Sequence, residues 1–300
     1  MPREVEPSLN EREFIRQALR ENIRLDGRSL DSFRDLSLTF AEQEYGVADV
    51  RLGKTRVVAR ISAEVTTPFP DRKFDGIFTI NTELSPLASP AFETGRQDTT
   101  EVLLSRLLEK SLRRSGALDT ESLCIIAGAK CFHIRADIHV LDHDGNLTDI
   151  CGIALIAALL HFRRPEVSVE GEKVTVYGLR EREPVKLALQ HMPFCVSFSL
   201  YEEAGGKAGN DAVVLVDANL SEEQVRDGEV VVSMNRHGEV CQIAKYGGCG
   251  IDPLVVLGCT TKALENVRVL HEFVRKRIEE DEKSRDVGGL IAELSAENAR

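Results

Sequence analysis

Three cations recur at i, i+4 and i+7 in Arg106, Lys110 and Arg113, and a turn, Asp144-Gly145-Asn146, precedes a long apolar stretch. On a helical wheel at about 100° per residue the three cations share one narrow stripe. A helix that starts after a Gly-containing turn at a strand end presents unpaired N–H groups and the positive end of its dipole, which suits an anion. Together with Arg96 in the preceding loop, these features describe a channel wall for a polyanionic strand held by its phosphates rather than its bases. The same patterns also fit a solvated helix face and a plain connector.

Other chemistries find less support. His139, Asp142, His143 and Asp144 are metal-ligand types, but an i, i+4 pair that straddles a strand end does not converge on one point. Gly247-Gly248-Cys249-Gly250 is not a dinucleotide fingerprint, and neither a P-loop nor a nucleophile elbow occurs. The seven cysteines form no CxxC pair and mostly sit among apolar residues, so buried free thiols are expected.

The positioning elements centre on the stretch from Cys131 to Phe162, which supplies a strand, a tight turn and a buried helix in succession. Phe132, Ile134, Ala136, Ile138 and Val140 alternate with polar residues at the period of a half-buried strand. Residues 150–162 are apolar all round, which suits a covered helix, with Thr148 or Asp149 expected to cap it. Residues 98–114 predict a second helix whose buried arc is Leu104, Leu107, Leu108 and Leu112, stopped by Gly116. Residues 9–22 predict a short amphipathic helix with Leu9, Phe14, Ala18 and Leu19 inward and Ser8 or Asn10 as cap.

Strands are expected at 36–40 and 74–84, with a hairpin joining 47–52 to 55–65 through Gly53-Lys54. A small hairpin through Gly171, strands at 194–200 and 212–216 and a helical turn at 221–226 follow. A further hairpin pairs 229–235 with 239–246, and a long helix runs from Pro253, capped by Asp252, to about residue 280.

Length allows two domains with a real core, and a net charge of −11 means that any nucleic-acid contact must come from a local patch. The chain has no apolar run of membrane length, and its first residues lack the order of a signal peptide, so an intracellular protein is expected.

The segment Ile23-Arg24-Leu25-Asp26-Gly27-Arg28, together with Tyr45-Gly46, Leu52-Gly53-Lys54-Thr55 and the run from Arg106 to Arg113, resembles the RNase PH family. Leu141-Asp142-His143-Asp144-Gly145-Asn146-Leu147-Thr148-Asp149 is similar to the non-phosphorolytic class of exosome ring subunits. The resemblance implies an α+β RNase PH-like fold of two similar β-sheet-plus-helices halves, like ribosomal protein S5 domain 2. The expected divisions are an N-terminal helix and lead-in over 1–27, halves at 28–182 and 183–281, and a charged tail over 282–300. It further implies a six-membered ring of RNase PH-like subunits around single-stranded RNA, with S1/KH-type cap subunits and an associated catalytic exoribonuclease. The expected locations are nucleus, nucleolus and cytoplasm.

The resemblance also bears on activity. Active members have a Gly-Thr-Arg turn that binds phosphate at the helix start; the corresponding stretch is Asn146-Leu147-Thr148, without the arginine. A second phosphate-binding arginine falls at Thr100, and the acidic pair for catalysis and Mg²⁺ falls on Glu223 and Glu229. Losing two guanidiniums removes charge-assisted hydrogen bonds of about 1.5–3 kcal/mol each, or about a hundredfold or more in binding or rate. A non-catalytic subunit with a vestigial acidic pair, no cofactor and no bound metal is therefore expected. Its RNA contacts are expected at Arg96, Arg106, Lys110 and Arg113. The alternatives are a phosphate-dependent 3′-to-5′ exoribonuclease, since both carboxylates survive, and a small-molecule enzyme on a related fold.

Overall fold

The computed structural model describes residues 6–93, 95, 98–171, 173–178, 181–202 and 213–285. The elements of the first half are α1 (Leu9–Arg20), β1 (Leu36–Phe40), β2 (Val47–Leu52), β3 (Thr55–Thr66), β4 (Ile77–Leu84), α2 (Thr99–Glu109), β5 (Cys124–Ile126), β6 (Lys130–Asp142) and α3 (Leu147–His161). Four short strands follow: β7 (Arg163–Arg164), β8 (Val167–Glu170), β9 (Lys173–Val176) and β10 (Val185–Lys186). The remainder is β11 (Phe194–Tyr201), β12 (Val213–Val216), α4 (Leu220–Glu223), β13 (Gly228–Met234), β14 (Val240–Gly247) and α5 (Pro253–Arg285).

The first sheet has the order β1-β2-β3-β6-β4, with β5 also paired to β6; β4 runs parallel to β6 and the other pairs are antiparallel. The second sheet has the order β12-β11-β13-β14, antiparallel throughout. Helix α3 lies between them, touching β2 and β3 on one side and β11 on the other. That placement explains its composition: with sheets on both sides, nearly every position from Leu147 to Leu159 is buried. The alternation expected of β6 holds, with Phe132, Ile134, Ala136, Ile138 and Val140 all in the core.

Several expectations need correction. The cap of α3 is Asn146, two or three residues earlier than expected, in a left-handed conformation (φ 53°), and its side chain accepts from the Asp149 amide. Helix α1 is capped by Ser8 in a capping box, but its inner face is Ile15 and Leu19, packed with Tyr201, Leu215 and Val225. Leu9 and Phe14 are exposed instead. The second helix changes to a π-helical turn at Lys110–Arg114 before Gly116 ends it.

Helix α5 continues to Arg285, past its expected end near residue 280. Its last turn reaches β7, β10 and the loop after β1: Glu282 pairs with Arg163 and Lys186, and Arg285 donates to the Ala41 and Glu42 carbonyls. Residues 286–300 lie outside the described residues, as does Arg180 at the expected boundary between the halves. Residues 117–119 still pair with 188–190, and β7 with β10, so the strands of the second sheet start only at Phe194.

The halves are locked by three arginines that the local sequence pattern left unassigned. Arg24, 3% exposed, forks onto Glu222 through Nε (3.1 Å) and Nη2 (2.8 Å) and also donates to the Val216 and Asp217 carbonyls. Arg28 and Arg34 both donate to the buried Asp217 carboxylate, at 2.9 and 2.8 Å. Burial opposes the charge of Asp217, but the hydrogen bonds from Arg34 and Asn146 prevail and hold its carboxyl below the usual range.

Candidate functional site

A cleft of about 730 Å³ opens between the start of α2, the turn before α3 and the segment from α4 to β13. It brings together the positions that the resemblance linked to phosphate and catalysis, apart from Asn146: Thr100, Leu147, Thr148, Glu223 and Glu229 all line it. The sequence places these residues up to 129 positions apart, from Thr100 to Glu229, so their convergence is a property of the fold.

The charge of the cleft is negative. Glu93, Asp98, Glu223 and Glu229 face it, and among the described lining residues Arg226 is the one arginine or lysine. Arg226 bridges the acidic pair, with Nη2 2.9 Å from Glu229 and Nη1 3.6 Å from Glu223. Its spacing, three residues after one carboxylate and three before the other, was a legible signal that the sequence reading passed over. Burial pushes both Glu223 and Glu229 above the usual carboxylate range, against the opposing charge of Arg226. Two carboxylates of this kind are a ligand set for a divalent ion, but here a guanidinium of the same chain already pairs with both.

The anion-competent turn is partly engaged internally, its Asp149 amide donating to Asn146 Oδ1. The Asn146 amide donates to Glu223 Oε1 at 2.8 Å, so one donor of the turn is held by a carboxylate of its own chain. Asn146 is 2% exposed. Gly145 packs so tightly on the second half that a Cβ would lie 2.7 Å from the Ala218 carbonyl oxygen. Thr100 and Thr148 offer hydroxyls where active relatives are expected to place guanidiniums, and a hydroxyl brings no charge to a phosphate.

The basic stripe occupies a different wall. Thr100, Leu103, Leu104 and Leu107 of α2 face the cleft, whereas Arg106, Glu109 and Arg113 line a second groove of about 600 Å³ bounded by β4 and β6. Helix α2 therefore stands between the stripe and the turn, and the two do not share one wall. Arg106 and Arg113 both pair with Glu109, each at 2.8 Å. Lys110 is exposed and pairs with no described residue. Arg96 lies outside the described residues. His139 pairs with Glu83 at 2.9 Å and Asp144 lies 3.7 Å from Arg34, so these metal-type residues point to separate partners.

Known proteins share this fold. Residues 32–165 match domain 1 of the 3′ exoribonuclease family, RNase PH, and residues 191–266 match its domain 2. The chain is 48% identical over 300 residues to the exosome complex component rrp45 of Schizosaccharomyces pombe, covering 100% of both chains. It is 44% identical to exosome complex component RRP45 of Saccharomyces cerevisiae, covering 100% of this chain and 99% of that one. Among solved structures, the Archaeoglobus fulgidus exosome with RNA bound to the active site superposes with a TM-score of 0.74 at 31% identity, covering 88% of this chain and 97% of that one. An archaeal exosome core gives 0.72 at 28% identity, covering 89% of this chain and 96% of that one. Two matched domains, two sheets around one buried helix and a cleft at the expected positions lead to one conclusion: this chain is a member of the RNase PH family of 3′ exoribonucleases.

Proposed function

We propose that this chain is a non-catalytic, RNA-guiding subunit of an exosome core ring. In that role it supports 3′-to-5′ RNA processing and degradation carried out by an associated nuclease. Its partners are other RNase PH-like subunits, S1/KH-type cap subunits, that nuclease and single-stranded RNA. The relatives' name as exosome components and the likeness to archaeal exosome cores support the assembly.

One observation carries the non-catalytic reading. The cleft is an acidic hollow in which Arg226 is spent on Glu223 and Glu229 while the Asn146 amide is spent on Glu223. An orthophosphate entering it would meet four carboxylates and no free guanidinium among the described residues. Phosphorolysis needs that phosphate as nucleophile, held and aligned by cations. The rival reading, a phosphate-dependent exoribonuclease, draws on the fact that Glu223 and Glu229 do sit side by side in the cleft.

RNA guidance falls to the exposed cations of α2 and its π-helical turn, Arg106, Lys110 and Arg113, with Arg96 as a fourth contact. The test is RNA binding by the assembled ring with Arg106→Glu and Lys110→Glu combined. Charge reversal should shorten the RNA length protected from added nuclease and flatten the salt dependence of binding; unchanged protection and slope refute the assignment.

A further inference from the structure

Glu109 stands between two arginines of the α2 stripe. Its Oε2 accepts from Arg106 Nη1 at 2.8 Å, and its Oε1 lies 2.8 Å from Arg113 Nη2. The carboxylate keeps 19% side-chain exposure, whereas Arg106 and Arg113 keep 69% and 50%. The carboxylate therefore sits inboard, and the guanidiniums reach past it to solvent. A phosphodiester, with two anionic non-bridging oxygens that guanidiniums bind well, offers these two arginines the same pair of acceptors.

We propose that Glu109 is a built-in counter-anion in a phosphodiester subsite formed by Arg106 and Arg113, and that single-stranded RNA binds there by displacing it. The inference rests on the RNA-contact reading above and adds to it the residue that sets affinity. The groove beside α2 supports it: Arg135, on the β6 wall, is likewise engaged, by Asp137 at 2.8 Å. The groove thus keeps its arginines paired until an anion competes for them. A free phosphate gains little, since it exchanges one anion for another on the same pair. A strand gains more, because several phosphates are presented by one molecule and Lys110 adds a charge that no described residue claims. The subsite therefore favours polymer over monomeric phosphate without reading bases.

The experiment is fluorescence anisotropy of a labelled oligouridylate of about twelve nucleotides, titrated with the full chain over a range of salt, for the unmodified protein, Glu109→Gln and Arg106→Glu with Lys110→Glu. Exposed ion pairs are weak, so freeing both arginines should tighten binding by about three- to tenfold. It should also steepen the log–log salt slope by about 0.7, one extra phosphate neutralised on a single strand. Glu109→Ala must move both readouts the same way, and circular dichroism melting confirms that each variant is folded. If the Glu109 variants match the unmodified protein while the charge reversal weakens binding, the counter-anion proposal is overturned and the RNA-contact reading stands. If the charge reversal also changes nothing, the RNA-contact reading fails and the subsite fails with it.

Discussion

Asp149 offers a sharp test of the interior. It lies on the first turn of α3, fully buried between the sheets. Asn146 Nδ2 (3.0 Å), the Ser197 amide (3.1 Å) and Ser197 Oγ (3.1 Å) all converge on one oxygen, Oδ2. The other oxygen, Oδ1, is buried with no hydrogen-bond partner. A bare buried carboxylate oxygen is costly, and a proton there removes the charge. Burial pushes this carboxyl up to about 8, against the three hydrogen bonds that favour its ionised form.

The sign follows from proton counting. Between the ordinary carboxylate value and about 8 the folded chain keeps a proton that the unfolded chain has released, so this stabilisation is complete at low pH and is lost as pH rises through about 8. Four units correspond to a ceiling of about 6 kcal/mol, and one unit already gives about 1.4 kcal/mol. The positive end of the α3 dipole favours the ionised form and draws the effect below that ceiling. His161 works in the opposite direction: burial lowers it to about 4, so its contribution grows with pH between about 4 and 6.5. Comparing the protein with Asp149→Asn cancels that term.

The asparagine carbonyl can accept the same three bonds but cannot titrate. Urea unfolding followed by far-UV circular dichroism from pH 5 to 8 should show the protein losing at least about 1.4 kcal/mol relative to the variant. Parallel stability curves, or a protein that gains on the variant as pH rises, would refute the reasoning.

Three further outcomes follow from the same contacts. Gly145→Ala puts a methyl 2.7 Å from the Ala218 carbonyl oxygen at a φ of 82°, and should cost about 2–4 kcal/mol in urea unfolding. Arg24→Ala strands the buried Glu222 carboxylate and should cost about 3–5 kcal/mol by the same measurement. Arg226→Gln frees Glu223 and Glu229 from their internal counter-ion, so Mn²⁺ followed by electron paramagnetic resonance should bind at least about fivefold tighter than to the unmodified chain.

The legible parts of this chain are those whose signal is local. Strand β6 and helix α3 could be read because a period of two gives way to an all-apolar run, and each pattern admits one packing. The buried arc of α2 was legible for the same reason, since Leu104, Leu107, Leu108 and Leu112 exceed what any other face offers. Helix α1 was misjudged because few apolar residues leave its inner face open, and Tyr201 and Leu215, nearly two hundred residues away, decide it.

The same distance hid the lock between the halves: nothing beside Arg24, Arg28 or Arg34 foretells Asp217 or Glu222. Asn146 was missed as a cap because the turn composition drew attention to Gly145, whereas the left-handed residue that ends the turn is the asparagine itself. The positions lining the cleft came from family resemblance. The pairing of Glu223 and Glu229 with Arg226, and of Glu223 with the Asn146 amide, could come only from the fold.

The most direct measurement incubates the purified chain with end-labelled single-stranded RNA, inorganic phosphate and Mg²⁺ and resolves the products by chromatography. An acidic cleft whose one described arginine is bound to Glu223 and Glu229 predicts intact RNA and no nucleoside diphosphate at any phosphate concentration. Nucleoside diphosphates that accumulate with phosphate, and vanish when Glu223 and Glu229 are replaced by glutamine, would contradict the account.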